Sequence, residues 1–362
     1  MKTTKRKMDH IRICLEEAVE SLQRPFEDIL LIHKALPELN ESDIDISCGF
    51  LGKKLEAPII ICGMTGGHPD TKKINVNLAQ AAQQMGVALG IGSQRAALED
   101  PEQEATFSVV RDVAPDVPII GNIGAVQLRQ NGPEVLEILA EMIGADAMAV
   151  HLNFLQESIQ PEGDRDAAGI LEALGSAARG SIPLFVKETG AGIGHEVARE
   201  LVKCGLRIID VSGLGGTSWS GVEACRAEEI GDTDSFELGK LFWNWGISTP
   251  ACVVECLSAG AEVIASGGIR NGIDAAKSIA LGASMTGLAL PLLTPATKSS
   301  DEVIKVLKPY IRALRISMFL TGCRSIRELQ CAPLIISGST RNWLIQRGFD
   351  LRKYAIAREV AR

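Results

Sequence analysis

Short apolar runs recur at regular intervals along the central part of the chain. Most of the stretches between them carry helical patterns, such as EVLEILAEMI and HEVARELVKC. Near-continuous apolar runs are typical of parallel strands that are buried on both faces, and parallel neighbours need long crossover connections. We therefore predict an α/β fold, a (β/α)8 TIM barrel, rather than a doubly wound sheet, because no GxGxxG follows the first run. The predicted strands are residues 58–62, 87–91, 117–120, 147–150, 183–186, 206–211, 262–265 and 284–288.

The segments on either side of this pattern predict additions to the barrel. Residues 1–56 lack the alternation and are interpreted as an N-terminal extension or lid, with a helix that begins at Asp9 and ends at Pro25. Residues 57–298 form the predicted barrel, and residues 299–362 form C-terminal helices that pack on it or make a subunit contact. About 50 residues separate the sixth and seventh predicted strands. An insertion of that length predicts a second lid.

Composition excludes several classes of protein. A net charge of -8 argues against a nucleic-acid partner, although a local basic patch could still bind a small anion. The nine cysteines include no CxxC, which predicts reduced thiols rather than a zinc site or a disulfide framework. No run approaches 18 apolar residues, and no apolar segment follows the basic N-terminus. We therefore expect a cytoplasmic protein with no membrane contact.

Polar residues follow each predicted strand rather than preceding it. The most informative set is HLNFLQE, from His151 to Glu157, which could hold a hard cation and a phosphate or could be a solvated loop. Other sets include MTGG, GSQR, Lys187-Glu188, SGLGGT and SGGIR. Packing alone would not favour one end of the strands. The asymmetry predicts a single site at the carboxyl ends, where TIM barrels bind ligands.

Some of these residues indicate the type of ligand. The glycines in SGGIRNG and after the eighth strand would let backbone N–H groups approach the phosphate of a flavin mononucleotide. Lys187 could hold the electron-rich edge of a reduced flavin, or it could form a salt bridge with Glu188 or another acid at the barrel mouth. The cluster Lys5, Arg6 and Lys7 is either a solvated arm or an anion clamp.

From Arg6 to near its end, the chain resembles the FMN-dependent type 2 isopentenyl-diphosphate isomerases. The matching segments are RKMDHI, HKALPELN, MTGG, GSQR, GNIGA, HLNFLQE, QPEGD, VKETGAGI, GLGGTSW, WGIST and SGGIR. The resemblance implies interconversion of isopentenyl and dimethylallyl diphosphates in isoprenoid biosynthesis. It also implies reduced FMN, Mg²⁺, NADPH as reductant, and a homotetramer or homo-octamer.

The resemblance also implies roles for individual residues. Gln156, Glu223 and Trp219 would lie at the reacting carbons, and Glu157 would bind Mg²⁺. The implied substrate contacts are Arg6, Lys7, Ser93, Gln94, Arg95, His151, Asn153 and Gln156. The implied FMN contacts are Met64, Thr65, Gly66, Ser93, Asn122, Lys187, Ser212, Thr217, Gly267, Gly268, Ile269, Ala289 and Leu290.

Two other classes of protein remain as alternatives. The first is an FMN oxidoreductase on the same barrel, either a 2-hydroxyacid oxidase or an IMP dehydrogenase. A 2-hydroxyacid oxidase needs a His after the sixth strand, where the sequence has none. An IMP dehydrogenase needs a Cys, and the candidate, Cys225, lies in a predicted helix. The second class is a non-enzymatic phosphate-binding protein. The other histidines, His10, His33, His68 and His195, are predicted to be structural.

Overall fold

The computed structural model describes residues 2–358, with side chains from Arg6 onward. Within this range the strands are β1 (Ile29–Leu31), β2 (Cys48–Phe50), β3 (Lys53–Leu55), β4 (Ile59–Ile61), β5 (Ala88–Gly90), β6 (Ile119–Gly124), β7 (Ala147–His151), β8 (Leu184–Lys187), β9 (Ile208–Asp210), β10 (Glu262–Ser266), β11 (Met285–Leu288) and β12 (Leu334–Ile336).

Helices separate most of these strands. They are α1 (Lys2–Glu16), α2 (Pro69–Met85), α3 (Arg95–Glu99), α4 (Ala105–Val113), α5 (Ala125–Asn131), α6 (Val135–Ile143), α7 (Phe154–Ile159), α8 (Ile170–Ala177), α9 (His195–Lys203), α10 (Trp219–Glu229), α11 (Thr233–Leu241), α12 (Thr249–Ser258), α13 (Gly272–Leu281), α14 (Leu290–Lys298), α15 (Ser300–Thr321), α16 (Ile326–Gln330) and α17 (Gly338–Gln346). None of these helices is both long and apolar enough to span a bilayer.

Strands β4 to β11 form a closed barrel in which every neighbouring pair is parallel. The predicted (β/α)8 barrel is confirmed, and each of the eight strands overlaps a predicted apolar run. Strand β6 shows why these runs fold as they do, because all six of its residues are buried. One face of each strand packs inside the barrel and the other packs against the helices.

The N-terminal extension closes the amino end of the barrel. Phe50 and Leu55, on the β2–β3 hairpin, pack with Ala88, Ala147 and Met285, which begin three of the barrel strands. The opposite, carboxyl end of the barrel is therefore the end that remains for a ligand. Strand β1 pairs in antiparallel fashion with β12, which joins this extension to the C-terminal segment.

The first helix does not have the predicted limits. We predicted a helix from Asp9 to Pro25, but α1 spans Lys2–Glu16. The basic cluster is therefore helical, and the segment after Glu16 is extended enough for Glu20 to form a bridge with Thr217 in the loop after β9. The helix therefore ends before the segment that contacts the barrel. That contact is tertiary, and the local sequence pattern did not predict it.

The insertion between β9 and β10, which we predicted to be a second lid, consists mainly of helices. Helices α10 and α11 pack against each other and against α7, and α1 packs on α10. Cys225 lies within α10, as predicted. The C-terminal helices pack on the barrel helices, with α15 against α2 and α13 and α17 against α12. The division at residues 56 and 298 stays a prediction.

Candidate active site

A cavity of about 230 Å³ lies at the carboxyl end of the barrel. It is lined by residues that follow the barrel strands and by residues of α1, which covers the opening and is called the lid from here on. Most of the predicted site residues line this one cavity: Arg6, Lys7, Met64, Thr65, Ser93, Arg95, Asn122, His151, Asn153, Gln156, Glu157, Lys187, Ser212, Thr217, Trp219, Gly267, Gly268, Ala289 and Leu290.

Four predicted site residues lie outside the lining of this cavity. Gln94 is fully buried, donates to the carbonyl oxygen of Leu139 at 2.8 Å and accepts from the backbone of Asn122, so its amide is already engaged. Ile269 is buried in the core. The carbonyl oxygen of Gly66 accepts a bond from the lid, and Glu223 reaches the cavity only through its hydrogen-bond partners.

The lid helix α1 inserts Lys7 into the cavity. Its Nζ donates to the carbonyl oxygens of Gly66 and Ser93, each at 2.6 Å, and lies 5.0 Å from the centre of the Phe107 ring. Burial and the neighbouring charge of Arg6 lower the pKa of Lys7 to about 7. Arg6 and Lys7 are therefore part of the cavity wall rather than a solvated arm, whereas the side chain of Lys5 lies outside the described part.

A buried carboxylate joins the lid to the barrel. Glu223 Oε1 lies 2.8 Å from His10 Nε2 and accepts from Gln156 Nε2 at 2.9 Å, while its Oε2 accepts from Arg226 at 3.1 Å. With its nitrogen turned toward Glu223, the Gln160 amide donates to Oε1 at 3.1 Å and accepts from Arg6 at 2.9 Å. Burial alone would raise the pKa of Glu223, but the bond and charge of His10, the bond from Gln156 and the charge of Arg226 lower it to about 2.

His151 is one of the strand-end side chains that line the cavity. It is the last residue of β7, and its Nδ1 lies 2.9 Å from Asn122 Oδ1. Burial and the charges of Lys187 and Lys7 lower the pKa of His151 to about 3. The imidazole is therefore neutral near pH 7 in the ligand-free protein.

Lys187 does not form the alternative salt bridge with Glu188. Its Nζ donates to the backbone carbonyl oxygen of Glu188 at 2.7 Å. The Glu188 carboxylate instead accepts the backbone N–H groups of residues 189–192 and so shapes the loop after β8. Burial raises the pKa of Asp210, on the neighbouring strand, although Lys187 and Ser266 oppose the shift. Lys187 therefore lines the cavity, and the acid that its charge acts on is Asp210 rather than Glu188.

The glycine loops after β9 and β10 approach each other closely. A Cβ atom on Gly216 would lie 2.7 Å from the backbone nitrogen of Gly268, and one on Gly268 would lie 2.6 Å from the carbonyl oxygen of Gly215. Within the described chain, the backbone N–H groups of Gly267 and Gly268 donate to no other residue. Thr65 Oγ1 is buried and has no partner in the same part of the chain. These open donors fit an anionic cofactor such as FMN.

Glu157 is the only acid among the described residues that line the cavity. Its carboxylate accepts from Asn153 at 3.0 Å and from the backbone of Asp164 at 2.8 Å. Among the described residues there is no cluster of three metal-ligating side chains. A metal here would therefore need oxygens from water and from a ligand, which is how Mg²⁺ is usually bound.

Sequence reasoning missed several residues that line the cavity. His10 was interpreted as structural without a partner, yet it bonds Glu223 and lies 5.2 Å from the Trp219 ring, edge to face. Gln127, Gln160 and Arg270 also line the cavity. The position of His10 one helical turn after Arg6 on α1 was the available signal, because residues four apart share a helix face.

Comparisons with known proteins agree with this geometry. A family model described as FMN-dependent dehydrogenase matches residues 140–335. A protein of Methanothrix thermoacetophila named isopentenyl-diphosphate delta-isomerase is 60% identical over 358 residues, which are 99% of this chain and 100% of the relative. A protein of the same name from Archaeoglobus fulgidus is 47% identical over 349 residues, with 96% and 100% coverage.

Solved structures agree on the fold alone. The crystal structure of mandelate oxidase with (S)-2-phenylpropionate superposes with a TM-score of 0.63 at 17% identity, covering 91% of this chain and 98% of that one. At this identity the likeness supports the barrel and not the substrate.

Proposed function

Because the chain belongs to the isopentenyl-diphosphate delta-isomerase family, we propose that it interconverts isopentenyl and dimethylallyl diphosphates with bound, reduced FMN. One structural observation carries the proposal. A single cavity joins a cationic region, formed by Arg6, Lys7 and Arg95, to the Gln156–Glu223 pair. The first region suits a diphosphate, and the second suits a group that must gain and lose protons.

The cationic region would hold the diphosphate. Arginine binds phosphate oxygens in pairs, whereas lysine acts as a point charge, so Arg6, Arg95 and Lys7 can share two phosphoryl groups. Ser93, His151 and Asn153 also line the cavity and are the other proposed contacts. Fixing the diphosphate would hold the short alkene in one orientation.

FMN would occupy the floor of the cavity. Its phosphate fits the open N–H groups of Gly267 and Gly268, and Thr65, Asn122, Lys187, Ser212 and Thr217 are the proposed contacts with the rest of the cofactor. When bound, reduced FMN supplies an acid and a base at its N5 atom and an electron-rich face. The contributions of Met64, Gly66, Ile269, Ala289 and Leu290 stay predictions, as does NADPH as the reductant.

Gln156, Glu223 and Trp219 would act at the alkene end. Gln156 lines the cavity and donates to Glu223, so its amide is held in one orientation. Glu223 is a carboxylate that His10 connects to the lid. It could relay protons at the alkene end of the cavity. The ring of Trp219 lies against His10 and would exclude water from the developing cation.

Mg²⁺ is proposed as a second cofactor, bound by Glu157. The support is that this carboxylate is held by Asn153 and lies in the cavity with the predicted diphosphate contacts. Replacing Glu157 by Gln should abolish Mg²⁺-dependent turnover and leave FMN binding unchanged. Unchanged turnover in that variant would remove Glu157 from the metal site.

A cytoplasmic location and a homotetramer or homo-octamer complete the proposal. The exposed apolar side chains Leu22, Leu241 and Trp245, which are 83%, 77% and 63% exposed, support a subunit contact beside the helical insertion. Gel filtration with light scattering would measure the assembly directly.

The assay that tests the proposal is anaerobic incubation with isopentenyl diphosphate, FMN, Mg²⁺ and NADPH, followed by product analysis. We expect dimethylallyl diphosphate to form without stoichiometric consumption of NADPH, and dithionite to replace NADPH. Full activity after reconstitution with 5-deaza-FMN would contradict the role of N5. Bound FMN with no isomer formed would leave the barrel and cofactor assignments intact but would favour an FMN oxidoreductase.

A further inference from the structure

The hydrogen bonds around Asn122 fix the protonation of one ring nitrogen of His151. Asn122 Nδ2 donates to the carbonyl oxygen of Ile91 at 3.1 Å, and its Oδ1 lies 2.9 Å from His151 Nδ1. A carbonyl oxygen can only accept, so the amide nitrogen must face Ile91 and the amide oxygen must face the imidazole. His151 Nδ1 therefore carries the hydrogen.

This arrangement leaves the other ring nitrogen as an acceptor. In a neutral imidazole one nitrogen donates and the other accepts, so Nε2 has a free electron pair. No described residue donates a hydrogen bond to Nε2, and His151 lines the cavity. Phosphate oxygens are also acceptors. A neutral His151 would therefore oppose a diphosphate rather than bind it.

The surroundings of His151 keep it neutral until an anion arrives. Burial and the two lysines that face it, Lys187 from β8 and Lys7 from α1, disfavour the imidazolium. Asn122 on β6 and Gln127 on α5 are the uncharged neighbours. A bound diphosphate would place its negative charge next to Lys7 and next to the imidazole itself. It would thereby oppose the repulsion that holds the imidazole in its neutral form.

We infer that His151 takes up one proton from solvent when the diphosphate binds, and that Asn122 is the positioning residue that requires this uptake. The inference rests on the proposed function, because it assumes a diphosphate ligand. The proton adds to Nε2, and the new N–H donates to a phosphate oxygen while Nδ1–H stays bonded to Asn122. No other bond is formed or broken.

The inference predicts that diphosphate binding weakens as the pH rises. Between the low pKa of His151 in the free protein and its higher pKa in the complex, binding consumes a proton. The contribution of His151 to affinity then falls about tenfold for each unit of rising pH. A residue that donates without titrating, such as glutamine, would remove this slope.

The test is isothermal titration calorimetry of the oxidised, FMN-loaded protein with isopentenyl diphosphate and excess Mg²⁺ at pH 7. Oxidised flavin prevents turnover, and two buffers with different ionisation enthalpies give the number of protons taken up. His151→Gln should bind with about one proton fewer than the wild type. Uptake by Lys7 or by the ligand occurs in both proteins and cancels in the difference.

Asn122→Asp provides a second, independent variant. A carboxylate beside Nδ1 would stabilise the imidazolium, so His151 would already be charged and proton uptake should again fall by about one. The double variant Asn122→Asp/His151→Gln should show the same uptake as His151→Gln alone. A merely structural role for Asn122 would weaken binding without changing the proton count.

The possible failures are distinguishable. Tight binding with equal proton counts in the wild type and His151→Gln would overturn the inference and leave the proposed function intact. If His151→Gln did not bind, the wild type and Asn122→Asp would supply the comparison, and equal counts there would overturn the inference. Absence of binding by the wild type would contradict the proposed function and the inference together.

Discussion

Glu223 and Glu255 are both buried glutamates that bind an arginine, but their surroundings differ. Glu223 is bonded by His10 and Gln156, which both line the cavity. Glu255 accepts from Trp343 Nε1 at 2.7 Å and from Arg347, and none of these side chains lines the cavity. Burial and charge pairing alone therefore do not identify a functional carboxylate. What distinguishes Glu223 is that its partners reach a ligand.

The comparison predicts different consequences for activity when each carboxylate is neutralised. The first network connects α1 to α7 and α10 across the mouth of the cavity, where proton transfer is proposed. The second connects α17 to α12 and, through Arg347 and Glu196, to α9 on the outside of the barrel. We expect both changes to reduce stability, but only the first to reduce activity.

Glu223→Gln should have the largest effect. Glutamine keeps the shape but removes the proton acceptor, so kcat should fall about 10²- to 10³-fold, within the range for general acid–base groups. The melting temperature should fall as well, because the ionised carboxylate stabilises the folded protein, so kcat is compared at a temperature where both proteins are folded. A steady-state assay and a thermal melt on the same preparation give both values, and retained kcat would contradict the role of Glu223.

Glu255→Gln should reduce stability and spare the chemistry. The change leaves Arg347 without its buried charged partner, and hydrogen bonds to charged groups contribute about 1.5–3 kcal/mol. We therefore expect the free energy of unfolding to fall by about that amount in urea titrations. At a temperature where both proteins are folded, kcat should equal that of the wild type. A selective loss of kcat would break the comparison.

Lowering the pH should reduce the free energy of unfolding, because it protonates Glu223. The pKa of Glu223 is lowered in the folded protein, so its ionised form favours folding above its ordinary pKa. That contribution is lost as the pH falls from about 4.3 toward about 2. Stability measured over this interval should fall more steeply in the wild type than in Glu223→Gln. Parallel curves would show that the carboxylate is not held in its ionised form.

Arg12→Gln should have the smallest effect. Arg12 reaches Glu229 of α10 from the outer face of the lid, and both side chains are about 40% exposed. Exposed ion pairs contribute little because water and salt screen them. KM should change less than twofold. A large increase would mean that the outer face of α1, and not only His10 and Lys7, controls closure of the cavity.

The sequence predicted the barrel because its signal is local and repeated. A run such as residues 117–120 must be buried on both faces, and β6 begins there. The polar residues after each strand converge because parallel strands end on the same side of the barrel. Neither step requires knowledge of a distant contact.

Residues whose roles depend on distant contacts were not predictable in the same way. Ser93 and Arg95 line the cavity, but Gln94 between them turns into the core because successive side chains leave the start of α3 in different directions. His10 acquires its partner from residue 223, and Glu255 acquires its partners from residues 343 and 347. No local pattern connects such positions.

The central claim is that the cavity moves protons onto and off a diphosphate-bearing alkene, with Glu223 taking part. Deuterium incorporation tests it most directly: isopentenyl diphosphate is incubated anaerobically in D₂O with reduced, FMN-loaded protein and Mg²⁺, and the product is analysed by mass spectrometry. We predict dimethylallyl diphosphate that carries solvent deuterium with the wild type and with Glu255→Gln, and about 10²- to 10³-fold slower incorporation with Glu223→Gln. Equal rates in all three proteins, or product that carries no deuterium, would contradict the account.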